Sequence, residues 1–133
     1  MIYSIREMLK KTAVEASAPC RIDMGGTLDL STFYLPLRRF SPRTFNVALG
    51  MRTTVRIEAW EKGVTEVVSK GFRKRRFRLD TAPFDHPLGL MFAVANYFEA
   101  NGVRIVVESS SPPRSALGGS SAAVVALIAA FSK

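Results

Sequence analysis

Residues 111–127, SPPRSALGGSSAAVVAL, set two prolines, two glycines and paired serines directly against an apolar run. A strand, a Gly/Ser loop and a helix N-terminus in succession make an anion site. The first N–H groups of a helix have no intrahelical partner, and the macrodipole places partial positive charge there. Glycine lets the backbone approach a ligand closely and adopts φ > 0 without strain. Ser120 and Ser121 can cap such a helix, and a free hydroxyl can reach a phosphate oxygen or a magnesium ion. The apolar body behind them would anchor that end against a sheet. The other reading is a capped helix start after a turn, with no ligand. The P-loop of the common nucleotidases is absent, because no Gly-Lys-Ser or Gly-Lys-Thr occurs, and no G-x-G-x-x-G follows a strand.

The elements that must position this loop are legible in outline. Ile2, Ile5, Met8, Leu9 and Ala13 follow helical spacing and predict a helix over 3–14. VEASAPCRIDM reads as a strand ending at Gly25-Gly26, with Pro19 marking an edge or bulge. A long loop punctuated by Gly, Thr, Ser and Pro follows, and long loops in compact domains are more often functional than not. Residues 44–60 predict a strand with Val55, Ile57 and Ala59 on one face and Arg52, Arg56 and Glu58 on the other, and Gly50 marks a bulge. VTEVVS, a Lys70-Gly71 turn and FRKRRFRLD predict a hairpin. Residues 87–100 predict a helix begun near Pro87 and capped by Asn101-Gly102. Residues 103–109 predict a strand, and a second helix runs from about Ser120. The sum is an α+β fold with mixed connections.

Composition excludes several classes. The chain has 133 residues, one domain's worth, with 47% hydrophobic and 23% charged side chains. Its one cysteine, Cys20, allows no internal disulfide and fits a reducing cytoplasm. The N-terminus lacks the apolar core of a signal peptide, and no apolar run reaches the roughly 18 residues that span a bilayer. The net charge of +8 is local: KGFRKRRFR at 70–78 holds six of 19 basic residues, leaving 13 against 11 acidic ones. That run is a solvated hairpin strand or a surface for phosphates or an acidic partner. Phe72 and Phe77 within it keep nucleic acid as an alternative partner. The single histidine, His86, permits no His-based metal site or Ser-His-Asp triad and is expected in the turn before the helix. Cys20 beside Arg21 is expected as a small buried residue, and Trp60, Tyr97 and Phe98 as core.

A second stretch makes the loop more specific. SPPRSALGGSSAA resembles the second motif of the GHMP kinases, in which Pro and three residues precede Gly-Leu-Gly and Ser-Ser-Ala. APCRIDMGGTLDL, at 18–30, resembles their first motif, a strand of the Ala-Pro-x-Arg kind followed by a Gly-rich turn and an Asp. The two stand in the family's order, about 90 residues apart. The GGTLD form is most similar to the bacterial sugar-kinase branch, the heptose-phosphate and fucose kinases, and less to the mevalonate branch.

The resemblance implies a ribosomal protein S5 domain 2-like fold and an N-terminal GHMP kinase domain over 1–133. It implies ATP and magnesium, a small-molecule sugar or sugar-phosphate acceptor in preference to nucleic acid, and no membrane. Pro112, Arg114, Ser115, Ala116, Leu117, Gly118, Gly119, Ser120 and Ser121 stand where the family surrounds the ATP phosphates, with Ser120 or Ser121 reaching the magnesium. Arg21 stands at the basic position of the first motif, which in related sugar kinases lies close to the transferred phosphate and would stabilise charge there. Gly25, Gly26 and Asp29 stand at the acceptor turn, Asp29 as the carboxylate that receives sugar hydroxyls. The family's general base comes after the second motif, so residues 1–133 alone are expected to be inactive. A decarboxylase relative is a further alternative. Two positions depart from the pattern: Ala116 and Arg114 replace frequent glycines, and if φ must be positive at 116, Ala carries a steric penalty there, which Arg114 either offsets by pairing with phosphate or, as a solvent-exposed residue, does not.

Overall fold

The computed structural model describes residues 4–24, 31 and 34–133. The chain begins with a short helix, α1 (Ile5–Leu9), capped where the Ser4 hydroxyl accepts from the Glu7 N–H. It is shorter than the spacing predicts because Val14 pairs with Ile57 and starts strand β1 (Val14–Asp23). The long connection that follows contains a turn of helix, α2 (Leu35–Leu37), and a 3-10 turn at Arg38–Phe40. β2 (Asn46–Ala59) is the longest strand. β3 (Thr65–Ser69), β4 (Arg75–Phe77), helix α3 (Gly89–Tyr97), β5 (Val103–Ser109) and helix α4 (Gly119–Phe131) complete the order.

The strands form one sheet in the order β1-β2-β5-β3-β4. All pairings are antiparallel except β3 with β5. Pro19 lies on β1, an edge strand, where a missing N–H does least harm. The register passes from Pro19↔Arg52 to Arg21↔Ala48, so residues 49–51 oppose Cys20 alone. This is the bulge expected at Gly50.

One sheet face carries the helices. Val55, Ile57, Val103 and Ile105 are buried there against Phe92 of α3 and Ala126 and Leu127 of α4. Phe92 meets Phe77 edge-on at 5.2 Å, which ties α3 to β4, and Phe98 stacks on Phe131 at 5.0 Å, which ties α3 to α4. Small residues on α4 (Ala122, Ala123, Ala126, Ala130) let its backbone approach the sheet. The opposite face is polar: Arg104 pairs with buried Glu66 at 3.0 Å and with Glu58 at 3.3 Å, beneath Trp60.

Three expectations are corrected. The second hairpin strand runs for only three residues rather than across 72–80, because a run of like charges on an edge has little to pair with. α3 stops at Tyr97, not at an Asn101-Gly102 cap. Glu99 takes φ 52°, the Ala100 N–H donates to the Ala95 carbonyl at 2.9 Å, and the Glu99 N–H donates to Asn96 at 3.0 Å. That is a Schellman ending with glutamate in the left-handed position. Tyr97 is not core; it is 84% exposed. Cys20 is fully buried, as expected. His86 belongs to the turn, its Nδ1 accepting from the Leu88 N–H at 3.0 Å.

Candidate functional site

β5 delivers the chain at Ser109 to the loop that enters α4. The loop takes left-handed conformations at alternate positions: Arg114 and Ala116 at φ 58°, and Gly118 at φ 70°. The first two are the positions at which the resemblance expects glycine. Alternation of this kind is the backbone habit of anion-binding nests. Ala116→Gly should therefore stabilise the chain by about 1 kcal/mol, read as a rise in the denaturant midpoint with unchanged slope.

α4 starts one residue earlier than its sequence suggests. Gly118, not a serine, is its N-cap, and no side chain closes it. The first bond of the helix is the Ala122 N–H to the Gly118 carbonyl at 2.9 Å, so the N–H groups of Gly119, Ser120 and Ser121 precede the ladder. Ser120 and Ser121 occupy the first turn of the helix instead of capping it.

The first motif meets the second here. The Arg21 N–H donates to the Leu117 carbonyl at 3.0 Å, which stitches the outer side of β1 to the loop. A Cβ on Gly118 would lie 3.4 Å from Arg21 Cγ and 3.8 Å from Cζ, so the arginine stem crosses directly over the N-cap. The guanidinium is partly exposed and lies 3.7 Å from Asp23, whose carboxylate also accepts from the Thr44 hydroxyl at 2.9 Å. Asp23 thus orients Arg21 and fastens the base of the long connection. Gly25, Gly26 and Asp29 lie outside the described residues.

A cleft of about 750 Å³ opens beside the loop. Its floor is the end of β5 and Thr53 of β2; its walls are the start of α3 (Leu88, Leu90, Met91), the β3–β4 turn (Lys70–Phe72) and the loop itself. Of the residues matched to the phosphate motif, Pro112, Arg114, Gly119 and Ser120 line it. Ser115, Ala116, Leu117, Gly118 and Ser121 do not, and neither does Arg21; they shape the loop and its far side.

Sequence reasoning missed a ladder of hydroxyls in the cleft floor. Thr53 Oγ1 and Ser109 Oγ are 2.9 Å apart, Ser109 and Ser111 Oγ atoms 2.9 Å, and Cys20 Sγ lies 3.8 Å from Thr53. Ser110 accepts from the Arg52 N–H at 2.9 Å and donates to its carbonyl at 3.0 Å. Three serines directly after a strand were the available signal. Lys70, Phe72, Leu90 and Met91 were also missed as cleft residues.

Among the described residues no group of three or more His, Cys, Asp or Glu side chains could hold a metal. The donors at the loop are hydroxyls and backbone N–H groups, which suit an anion directly. Of these only a hydroxyl oxygen could ligate a magnesium ion, as one member of a shell completed by phosphate oxygens and water. No helix among the described residues is long and apolar enough to cross a membrane.

Comparison with known proteins fits this geometry. Residues 87–133 match the family described as GHMP kinases N terminal domain. A comparison with curated protein sequences finds no match. Among solved structures, the mevalonate kinase of Methanococcus jannaschii superposes with a TM-score of 0.65 at 12% identity, over 91% of this chain and 40% of its own. The D-glycero-D-manno-heptose 1-phosphate kinase of Bacteroides thetaiotaomicron gives 0.64 at 21% identity, over 89% and 40%. The Lactococcus lactis galactokinase, solved with galactose, gives 0.64 at 14%, over 88% and 31%. The chain therefore spans two-fifths or less of the length of these structures. It has the α+β fold these kinases share and, over residues 87–133, the sequence pattern of the GHMP kinase N-terminal domain.

Proposed function

We propose that residues 1–133 are the N-terminal, nucleotide-binding part of a longer cytoplasmic kinase that passes the ATP γ-phosphate to a sugar or sugar phosphate. The observation that carries this reading is the meeting of Arg21 with Gly118: a cationic side chain crosses the open N-terminus of α4, next to a loop with three left-handed residues. Phosphoryl transfer needs positioning and charge stabilisation more than covalent chemistry. In this reading the N–H groups of Gly119–Ser121 receive phosphate oxygens, as helix N-termini do. Ser120, facing the cleft, is the better placed of the two serines to reach a phosphate or its magnesium. Magnesium, when bound, would offset charge on the phosphates. The apolar part of the cleft (Phe72, Leu90, Met91, Pro113) receives the base of the nucleotide. Arg21 stabilises charge on the transferred group, and Asp23 holds it in place at 3.7 Å. Gly25, Gly26 and Asp29 are assigned to the acceptor, Asp29 receiving two sugar hydroxyls.

Calorimetric titration of this chain with ATP and magnesium tests the reading: binding is expected, and Arg21→Ala should weaken it about tenfold. Sugar phosphorylation should be absent, because the base is assigned to sequence after Lys133. In a chain carrying that sequence, Arg21→Ala should cut turnover about 100-fold. No nucleotide binding by the wild type would overturn the assignment, and phosphorylation by residues 1–133 alone would overturn the placement of the base.

A further inference from the structure

The six basic residues between 70 and 78 separate into two groups in the fold. Arg76 is held by Glu61 at 2.6 Å and Arg78 by Asp80 at 3.3 Å. Lys70, Arg73, Lys74 and Arg75 are exposed and form no ion pair among the described residues. Holding four like charges within six residues costs self-repulsion, so the turn is adapted to something other than stability.

Its position says what. Lys70, Gly71 and Phe72 line the cleft, and Gly71 lies against the phosphate-loop side of the mouth: a Cβ there would be 3.8 Å from Pro113 Cγ. Lys70 therefore stands in the wall of an open cleft sized for a small molecule, and Arg73, Lys74 and Arg75 follow it on the same exposed turn into β4. Nucleic acid fits less well. Single strands are held by successive exposed aromatics beside the basic groove. Here Phe77 is taken up by Phe92 and His86, at 5.2 and 6.1 Å, which leaves Phe72 alone.

We propose that the β3–β4 turn steers the nucleotide into the cleft, with Arg73, Lys74 and Arg75 raising the rate of encounter without touching the bound ligand. This rests on the nucleotide reading of the cleft. A polyanion approaching an uncompensated cluster of cations is drawn in over about one Debye length, roughly 8 Å at physiological salt. Steering of this kind alters association and leaves dissociation nearly untouched.

Stopped-flow fluorescence with a methylanthraniloyl ATP, on this chain and its Arg73→Gln/Lys74→Gln/Arg75→Gln variant, separates the two rates. At low salt the variant should associate about tenfold more slowly, with dissociation within about twofold, and the gap should close near 0.5 M salt. Lys74→Gln alone lies outside β4 and should give a drop of about twofold, which guards against a strand defect at Arg75. The corresponding adenosine, without phosphates, should associate equally with all three proteins. Equal association rates for the triphosphate, or a loss confined to dissociation, overturn the proposal. So does RNA affinity that collapses in the triple variant while nucleotide association holds. A wild type that binds no nucleotide instead overturns the nucleotide reading itself, and the proposal with it.

Discussion

On the nucleotide reading proposed above, Gly118→Val is expected to abolish binding within the working range of calorimetry and to leave most of the fold intact. Two effects act at the same atom. Gly118 sits at φ 70°, a region in which a β-branched residue is a steric outlier. Strain of this kind costs about 2 kcal/mol, and the loop can relieve it only by leaving the left-handed conformation. The new Cβ would also stand 3.4 Å from Arg21 Cγ, at the near edge of van der Waals contact with the arginine stem. A loop that leaves the left-handed conformation carries the N-cap away from Arg21, which removes the cation from the open end of α4. The two losses together predict a fall in affinity of about 100-fold or more. Thermal stability should drop far less than affinity, because Gly118 is a half-buried loop residue outside the core. Gly50→Ala is the matched control: a Cβ there meets nothing within 4 Å, and binding should be unchanged. Wild-type affinity in Gly118→Val would mean that neither the left-handed turn nor the Arg21 crossing contributes to the site.

That Arg21 bonds to Leu117, nearly a hundred positions later, shows how sequence and fold divided the information. Local constraints were readable. Pro19 announced an edge, Gly50 a bulge, and the glycine substitutions at 114 and 116 pointed to positions whose backbone does take positive φ. The first two follow from one residue's own backbone chemistry, a missing N–H at Pro19 and a missing Cβ at Gly50, and the third from the resemblance to the GHMP pattern. The paired motifs also predict that Arg21 and the loop are neighbours, and the Arg21 N–H donates to the Leu117 carbonyl at 3.0 Å. Pairings across the sheet were not readable. Thr53 and Ser109 lie 56 positions apart and meet only because β2 and β5 are neighbours in register. The serine run at 109–111 therefore looked like loop punctuation rather than a cleft floor. Helix ends failed for a different reason: Asn101-Gly102 is the better cap by residue type, yet Glu99 forms it, because Ala95 and Ala100 are both fully buried and their bond closes the turn first. Tertiary burial outweighs the local preference. The basic run was legible as charge, but the place of Lys70–Phe72 in the cleft wall was not, since Pro113 and Leu90, which line it too, come from other segments.

The largest stability loss is expected from Gly89→Ala. Gly89 begins α3 in an ordinary helical conformation, so an alanine there would normally be neutral or favourable. In this fold its Cβ would stand 2.0 Å from the Phe84 carbonyl oxygen and 2.5 Å from the carbonyl carbon. Both atoms are backbone, so no rotamer change can clear them. The segment 84–88 folds back onto the helix start, where the Gly89 N–H donates to the His86 carbonyl at 2.7 Å and His86 receives the Leu88 N–H. Moving it breaks that turn and shifts Leu88, which is buried, and Phe92, which is fully buried one helical turn on. Overpacking of this severity costs about 3 kcal/mol or more, seen as a fall of about 10 °C in the melting temperature. Gly63→Ala separates this from conformational strain: at φ 84° with open space around it, it should lose only about 1 kcal/mol. Nucleotide affinity should fall with Gly89→Ala as well, because Leu88, Leu90 and Met91 form one wall of the cleft. A loss under about 1 kcal/mol would show that the 84–88 turn yields freely, and the cleft wall would then be adjustable rather than fixed by its contact with the helix.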